Sequence, residues 1–538
     1  SNGSNPSRRK KQKIEKLLLD PMFQHHLTGV PRDTSKNKKK RKSRHPYSSH
    51  VPQHHMGTHH CKYCIIFGND GKVWIIVSSG NLTCPGMVDG TWVQCFDPNP
   101  PNSSPPNTDF GIILQDLIVK QGDACSLPAS PTAPNYKHPS KFFREHLGFG
   151  IDEFKDRFKW QDAKVDLVST LPGEHEGRLG AVSKRKAGGL LYGPQRFASL
   201  FADYVDPESP AYRLPPHALG DNDPFVIQQT SFGVRIDVKY MEALTRNYMG
   251  EDDRTGRISG DYLMDRANII WPTDDFMKEC AAREVGCPVS HIAKAGYVGG
   301  LFLTPQNFHD MDDDVKALFR TYEPNKGTEG ETDGERYRTP HIKTYSRIMG
   351  EGIRKEYLEK KRNVSSFDMG GEGAEPVSWF MLTSACMSRG AQGYMVKNRE
   401  SYSDSMHYAN FELGVVFSSK LVGSEDDVLY VTKGREGGGN TEFKSKDGLN
   451  IVTLPTPYDV SEAQKYYVED SDPDSSMYDG GTFRFIPHMN THENLRLLSK
   501  CTSILPLPPP NKDGTILVTS RGEFNHAAVA QPTPTGKG

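Results

Sequence analysis

The sequence predicts an α/β protein made of two similar halves that meet around one site. Three observations lead there. Strand-like apolar runs alternate with amphipathic helical segments along most of the chain. The pattern Thr-x-His-x-Lys occurs twice, as THHCK from Thr58 and TPHIK from Thr339. Each copy is followed by an apolar strand that ends in Ser-Ser or Thr-Ser and then a small residue: VWIIVSSG and VSWFMLTSA.

Taken in order, residues 1–50 read as a basic, largely disordered tail with one helical candidate, IEKLLLDPMFQHHL, stopped near Pro21. Residues 51–185 form the expected first half. HCKYCIIF and VWIIVSS flank NDG, a strong hairpin signal. A Pro/Asn/Ser loop at 97–109 leads to the helix DFGIILQDLIVKQ, a second helix HPSKFFREHLGF and the buried strand AKVDLVSTLPG. The second half, 186–525, carries GPQRFASLFADYV (helix), PFVIQQTSFGVRI (strand), VKYMEALTRNYM (helix) and NIIWP (strand). TPHIKTYSRIM follows a polar insertion at 324–338. After a charged helix and a Gly-rich insertion come the strand VSWFMLTSA, SRGAQGYM as the opening of a helix, and the strand NFELGVVFSS. Residues 526–538 are a second disordered tail.

Composition narrows the class. Among 538 residues, 35% are hydrophobic and 50 are Gly and 38 Pro, the signature of a globular core with long polar loops. No apolar stretch reaches membrane-spanning length, and no signal-peptide core opens the sequence, so an intracellular, soluble protein without membrane partners is expected. Nine cysteines, an odd number scattered along the chain, fit reduced thiols better than a disulfide framework. The net charge of -1 says nothing about a nucleic-acid partner. The runs RRKKQK and KNKKKRKSR read either as nuclear-localisation or phosphate-contacting arms, or as a solvated tail.

On a strand, side chains alternate with period two, so His60 and Lys62 are expected to face one way, as are His341 and Lys343. A histidine beside a lysine suits a phosphate. The lysine neutralises the oxygens, and the imidazole attacks phosphorus or moves a proton. With one histidine from each half, one serves as nucleophile and the other as acid and then base, and no metal or other cofactor is needed. The competing reading is a zinc site at Cys61-x-x-Cys64 with His59 or His60, completed by Cys84 and Cys95. It lacks a second CxxC, and the two thiols of a strand so spaced point to opposite faces.

These residues carry a family resemblance. GTHHCK, STLPG, TPHIKTY, WFMLTSA and FELGVVF resemble, in order, segments of the phospholipase D superfamily in the variant lacking the motif aspartate, that of the tyrosyl-DNA phosphodiesterases. The resemblance runs with gaps from about residue 57 to 460. It implies a phospholipase D-like fold, two α/β/α sandwich halves related by a pseudo-twofold axis with the active site between them. It also implies a nuclear DNA-repair phosphodiesterase, monomeric and metal-independent. Its substrate would be DNA carrying 3′-phosphotyrosyl and related adducts, with a topoisomerase I-derived peptide as the leaving group.

By the same resemblance His60 is the nucleophile that becomes a phosphohistidine, and His341 is the acid toward tyrosine and then the base for water. Lys62 and Lys343 bind phosphate oxygens, Asn81 is the first-motif asparagine, Glu412 orients the nucleophile, and Ser231 contacts DNA phosphate. Departures are plain. Cys386 stands where the second motif has asparagine, Met56 where many members stack an aromatic on a base, and Leu301 where serine is usual. Upstream of Gly57 the strands and helix that begin the family's first half are missing. Asp89 is a further, weaker candidate for orienting a histidine. Two alternatives stay open: a divergent HxK phosphodiesterase or nuclease on another nucleic-acid ester, and a DNA-end-binding relative whose site has decayed.

Overall fold

The computed structural model describes residues 58–80, 88–100, 109–125, 143–179, 190–201, 224–229, 232, 236–249, 264–272, 274–285, 311–322, 338–348, 375–397, 404–418, 428–432, 441–444 and 450–458. The 14–27 helix candidate, both basic runs, the insertions, the 185/186 boundary between halves and the two tails lie outside the described residues.

Strands β1 (Thr58–His59), β2 (Lys62–Phe67), β3 (Val73–Ser78) and β4 (Thr91–Phe96) open the chain. β2, β3 and β4 form an antiparallel three-stranded sheet. The β2–β3 turn closes where NDG predicts it. Gly71 sits at φ 83°, a left-handed conformation that glycine adopts without a Cβ penalty, and Gly68 N–H donates to the Lys72 carbonyl. Helix α1 (Asp109–Cys125) packs Phe110, Ile113, Leu114, Leu117 and Ile118 into the core, at the spacing of one helical face.

Of the predicted helix HPSKFFREHLGF, residues 138–142 lie outside the described residues, and Phe143–Leu147 form a π turn. Gly148, at φ 77°, ends it. Phe143, Phe149, Phe154 and Phe158 then gather around Phe67, with ring centroids 5.6 to 6.2 Å away. Aromatic burial against the hairpin, a non-local gain, overrides the local helical period.

Strand β5 (Asp166–Thr170) is buried throughout, and β6 (Gly173–Glu176) follows the LPG turn. Next come α2 (Gly193–Phe201), β7 (Phe225–Gln228), α3 (Val238–Tyr248), β8 (Ala267–Trp271), α4 (Asp274–Val285) and β9 (Phe319–Thr321). The predicted strand PFVIQQTSFGVRI is thus shorter than its apolar pattern, with Phe232 making only an isolated bridge to Met387. The chain then forms β10 (Thr344–Ile348), β11 (Glu375–Thr383), β12 (Tyr394–Lys397), β13 (Asp404–Tyr408), β14 (Asn410–Ser418), β15 (Val428–Thr432), β16 (Thr441–Lys444) and β17 (Asn450–Pro455). SRGAQGYM yields only one helical turn, Arg389–Gln392, capped by the Ser388 hydroxyl on Ala391 N–H. Gly393 (φ 88°) turns the chain into β12; a Cβ there would meet Met406 at 2.5 Å.

The largest sheet has the order β16-β17-β15-β11-β10-β7-β8-β9, with β14 beside β11 and joined in turn to β5 and β1. The parallel β7–β8–β9 run, with α3 and α4 between its strands, is the α/β part of the second half. β14 runs parallel to β1 and antiparallel to β5, so a late strand is hydrogen-bonded to two early ones. A second junction lies at the parallel bridge Val88–Pro340. Both junctions sit beside a Thr-x-His-x-Lys segment.

Candidate active site

At the first junction, His60 N–H and Cys61 N–H both donate to the Phe411 carbonyl, at 3.0 and 2.8 Å. The residue after that carbonyl is Glu412, whose Oε2 accepts from His60 Nδ1 at 2.8 Å. At the second junction, His341 N–H and Ile342 N–H both donate to the Val88 carbonyl, at 2.9 and 2.8 Å. The residue after it is Asp89, whose Oδ1 accepts from His341 Nδ1 at 2.8 Å. Each histidine is therefore held by a carboxylate from the other end of the chain.

The correspondence continues atom by atom. Lys62 Nζ donates to the carbonyl of His60, and Lys343 Nζ to that of His341, at 2.5 and 2.6 Å. Ser79 N–H donates to the Gly90 carbonyl and Ser384 N–H to the Leu413 carbonyl, both at 3.0 Å. The Ser78 hydroxyl accepts from Gly80 N–H and the Thr383 hydroxyl from Ala385 N–H, again both at 3.0 Å. The sequence repeat is thus a local twofold in the hydrogen bonding. Ser78-Ser79-Gly80 corresponds in this bonding to Thr383-Ser384-Ala385.

One expectation is corrected in detail. The HxK pairs do not lie within a strand face. His60 sits between β1 and β2, and His341 precedes β10. The chain bends at the histidine to give two amides to one carbonyl, and the lysine reaches back over the bend to cap the histidine's own carbonyl. Strand pairing stops after His59 and resumes at Lys62 with a different partner, and in the second segment begins at Thr344.

The charges explain how the site is poised. A carboxylate only accepts, so each Nδ1 carries a proton, which leaves the lone pair of a neutral imidazole on Nε2. Glu412 is buried, which alone would raise its pKa. His60, the Ser384 hydroxyl (2.6 Å) and Lys62 more than offset this and hold it below the ordinary carboxylate value. Asn410 Nδ2 donates to its other oxygen at 3.0 Å. Burial pulls Lys62 down to about 8, against the pull of Glu412 and with help from the charge of Lys343. Lys343 is lowered by burial too, against Cys386, Asp89 and Glu412. His341 is lowered chiefly by burial, against its bond to Asp89, with Lys343 and Lys62 adding to the lowering. Two ammoniums lie in electrostatic reach of each other, and both are lowered chiefly by desolvation despite the carboxylates nearby, so an anion bound beside them would favour their charged forms.

His60, Lys62, His341, Lys343, Glu412 and Cys386 are brought together. Asn81, Ser231, Met56 and Leu301 lie outside the described residues. The Cys386 backbone is fixed by Gln392 Nε2 on its carbonyl at 3.3 Å and by Gln229 on Met387 N–H at 3.1 Å. Asp89, given little weight in the sequence, is a full counterpart of Glu412. Ser79 and Ser384 were not singled out, although the repeated Ser-Ser and Thr-Ser strand ends marked them. Among the described residues no group of three or more His, Cys, Asp or Glu is placed to hold a metal ion. Cys61 is buried and Cys64 half-buried.

Residues 144–467, more than half the chain, match the family model described as tyrosyl-DNA phosphodiesterase. The chain belongs to the tyrosyl-DNA phosphodiesterase family. Tyrosyl-DNA phosphodiesterase 1 of Arabidopsis thaliana is 21% identical over 432 residues, 75% of this chain and 57% of that protein. Its Drosophila melanogaster counterpart is 22% identical over 419 residues, 75% of this chain and 54% of that protein. The chain spans little more than half the length of these relatives. The crystal structure of the yeast tyrosyl-DNA phosphodiesterase aligns over 77% of this chain and 78% of that one, at 14% identity and a TM-score of 0.41. The phospholipase D-like, two-halved α/β arrangement expected from sequence is that of this family. The family match begins after the first HxK pair. Inside the tyrosyl-DNA phosphodiesterase frame, it is the twofold hydrogen bonding that ties His60 and Lys62 to His341 and Lys343.

Proposed function

We propose that this chain hydrolyses 3′-phosphotyrosyl and related 3′ adducts on DNA through a covalent phosphohistidine. The observation that carries the reading is the reciprocal pairing of His60 with Glu412 and His341 with Asp89 around the buried Lys343 and the half-buried Lys62. Lys62 and Lys343 take the non-bridging oxygens of the phosphodiester. His60, its Nδ1 proton held by Glu412, attacks phosphorus through Nε2. The P–O bond to tyrosine breaks, and the phenolate, a leaving group of pKa about 10, takes a proton from His341 Nε2. The anion's charge raises His341 toward the imidazolium needed for that step. Neutral His341 then takes a proton from water, and the resulting hydroxide displaces His60 to leave a 3′-phosphate. No step is routed through a metal.

Both HxK pairs come from one chain, which supports a monomeric enzyme. DNA as substrate, a topoisomerase I-derived peptide as leaving group, and the basic runs at 8–13 and 36–44 together support action in the nucleus. The test is incubation of the full chain with a 3′-phosphotyrosyl oligonucleotide in EDTA. Release of tyrosine with a 3′-phosphate product is expected. An intact substrate overturns the reading, and tight binding without turnover that His60→Ala leaves unchanged would favour a DNA-end-binding relative instead.

A further inference from the structure

Both carboxylates have a second partner with a conserved geometry across the twofold. The Ser79 hydroxyl donates to Asp89 Oδ1 at 3.0 Å, and the Ser384 hydroxyl to Glu412 Oε2 at 2.6 Å. In each case that oxygen is the one taking the imidazole Nδ1 proton. Each hydroxyl in turn accepts a backbone amide from the residue after the carboxylate, Gly90 N–H at 3.0 Å and Leu413 N–H at 3.1 Å. Both serines are fully buried, at 0% exposure. A hydroxyl has one proton to give, and the amide occupies an acceptor lobe; the Ser384 proton goes to Glu412, and the Ser79 proton goes to Asp89 at 3.0 Å in preference to the Gly90 carbonyl at 3.5 Å.

We propose that Ser79 and Ser384 are paired positioning residues, each setting how strongly its carboxylate holds the Nδ1 proton of one histidine: Ser79 through Asp89 for His341, Ser384 through Glu412 for His60. The inference rests on the two-histidine reading above. A hydrogen bond donated to a carboxylate oxygen draws off electron density and weakens its pull on an imidazolium sharing that oxygen. Without the hydroxyl, the carboxylate holds the Nδ1 proton harder and the imidazole becomes more basic. The other charged groups facing His341 are Lys343 and Lys62. His60 faces Glu412, which Lys62 also reaches, and the Lys62 ammonium caps the His60 carbonyl. None of these is altered by a change at Ser79 or Ser384.

The test needs no substrate. In the full chain with histidines labelled at Cε1, the His60 and His341 resonances are assigned from His60→Gln and His341→Gln, then titrated by NMR. Ser384→Ala should raise the midpoint of His60 by about half to one pH unit and leave His341 in place. Ser79→Ala should do the reverse, and Ser→Thr at either position, keeping the hydroxyl, should restore the wild-type midpoint. A structural role alone predicts no movement, or equal movement of both histidines in each variant; either result overturns the proposal. If an alanine variant does not fold, Ser→Cys, a near-isosteric and weaker donor, must show the same selectivity at smaller size. These midpoints are read whether or not the chain cleaves phosphotyrosyl DNA, so failure of the serines and failure of the proposed function are distinguishable.

Discussion

Replacing Glu412 by glutamine perturbs the site where its hydrogen bonding is most committed. The carboxylate accepts three bonds: His60 and Ser384 on Oε2, Asn410 on Oε1. Glutamine keeps the shape but has one acceptor and one donor end. With its oxygen toward His60 and Ser384, the new amide meets Asn410 Nδ2, and Asn410 must turn its own amide over to accept. The Nδ1 proton then stays in place, and only the charge assistance is lost. A hydrogen bond to a charged group is worth about 1.5–3 kcal/mol, or about ten- to a hundredfold in rate. With the amide toward His60 instead, Nδ1 must accept and the proton moves to Nε2, the attacking atom. Loss of the orienting carboxylate's charge in a serine-protease triad, with a wrong tautomer, costs about ten-thousandfold. The half-exposed setting of Asn410 makes its rotation the cheaper answer, so a fall of about ten- to a hundredfold in single-turnover cleavage of a 3′-phosphotyrosyl oligonucleotide is expected. A variant within twofold of wild type would refute the orienting role of Glu412. A fall near ten-thousandfold would instead place the amide nitrogen on His60.

Other outcomes follow from the same geometry. His341→Ala should slow release of the second product and trap a covalent protein–DNA adduct; a variant that turns over with no adduct on a denaturing gel contradicts the division of roles. Cys386→Asn, which puts an amide donor where the thiol stands, should lower KM for the oligonucleotide by about three- to tenfold, the worth of one added hydrogen bond, and an unchanged or raised KM contradicts the placement of Cys386 in the phosphate site. Because Lys62 is pulled down to about 8, its folded form binds fewer protons than an unfolded lysine between pH 8 and 10.5, and the free site loses positive charge as pH rises through about 8. KM should therefore climb above that pH, and Lys62→Arg, which keeps its charge, should flatten the climb; a pH-independent KM between 7 and 9.5 argues against Lys62 as a phosphate ligand.

Much of the site was legible because the repeat places similar chemistry at similar distances from similar strands. THHCK and TPHIK and the hairpin at NDG emerged from the residues themselves, and Glu412 in FELGVVF from the family resemblance alone. What was hard to read is non-local. Asp89 follows a segment without pattern and meets His341, 252 positions further along the chain, only when the chain is folded back. The two serines gain meaning only when Gly90 and Leu413 are known to sit across from them. Period two misplaced the HxK pairs onto a strand face because nothing local shows that one carbonyl, of Phe411 or Val88, takes two amides. The π turn at Phe143 has the same origin. Its apolar spacing is helical, but Phe67, far off in sequence, collects the rings.

The twofold is close in geometry and broken in chemistry, and the break matches the proposed division of labour. Glu412 is 1% exposed and held by three donors, with its charge stabilised in spite of burial. It suits a histidine that must present the same nitrogen at attack and carry phosphorus afterwards, with no change at Nδ1. Asp89 is shorter and 16% exposed, and it faces a histidine whose proton affinity burial lowers. That suits an imidazole that must give a proton up and take one back within a turnover. A rigid, fully satisfied carboxylate under His60 and a looser one under His341 would make nucleophile and acid out of one repeated frame. The exchange of carboxylates between the two ends of the chain adds a condition. Neither histidine is oriented until β14 has paired with β1 and Val88 with Pro340, so the closing of the fold and the arming of the site are one event.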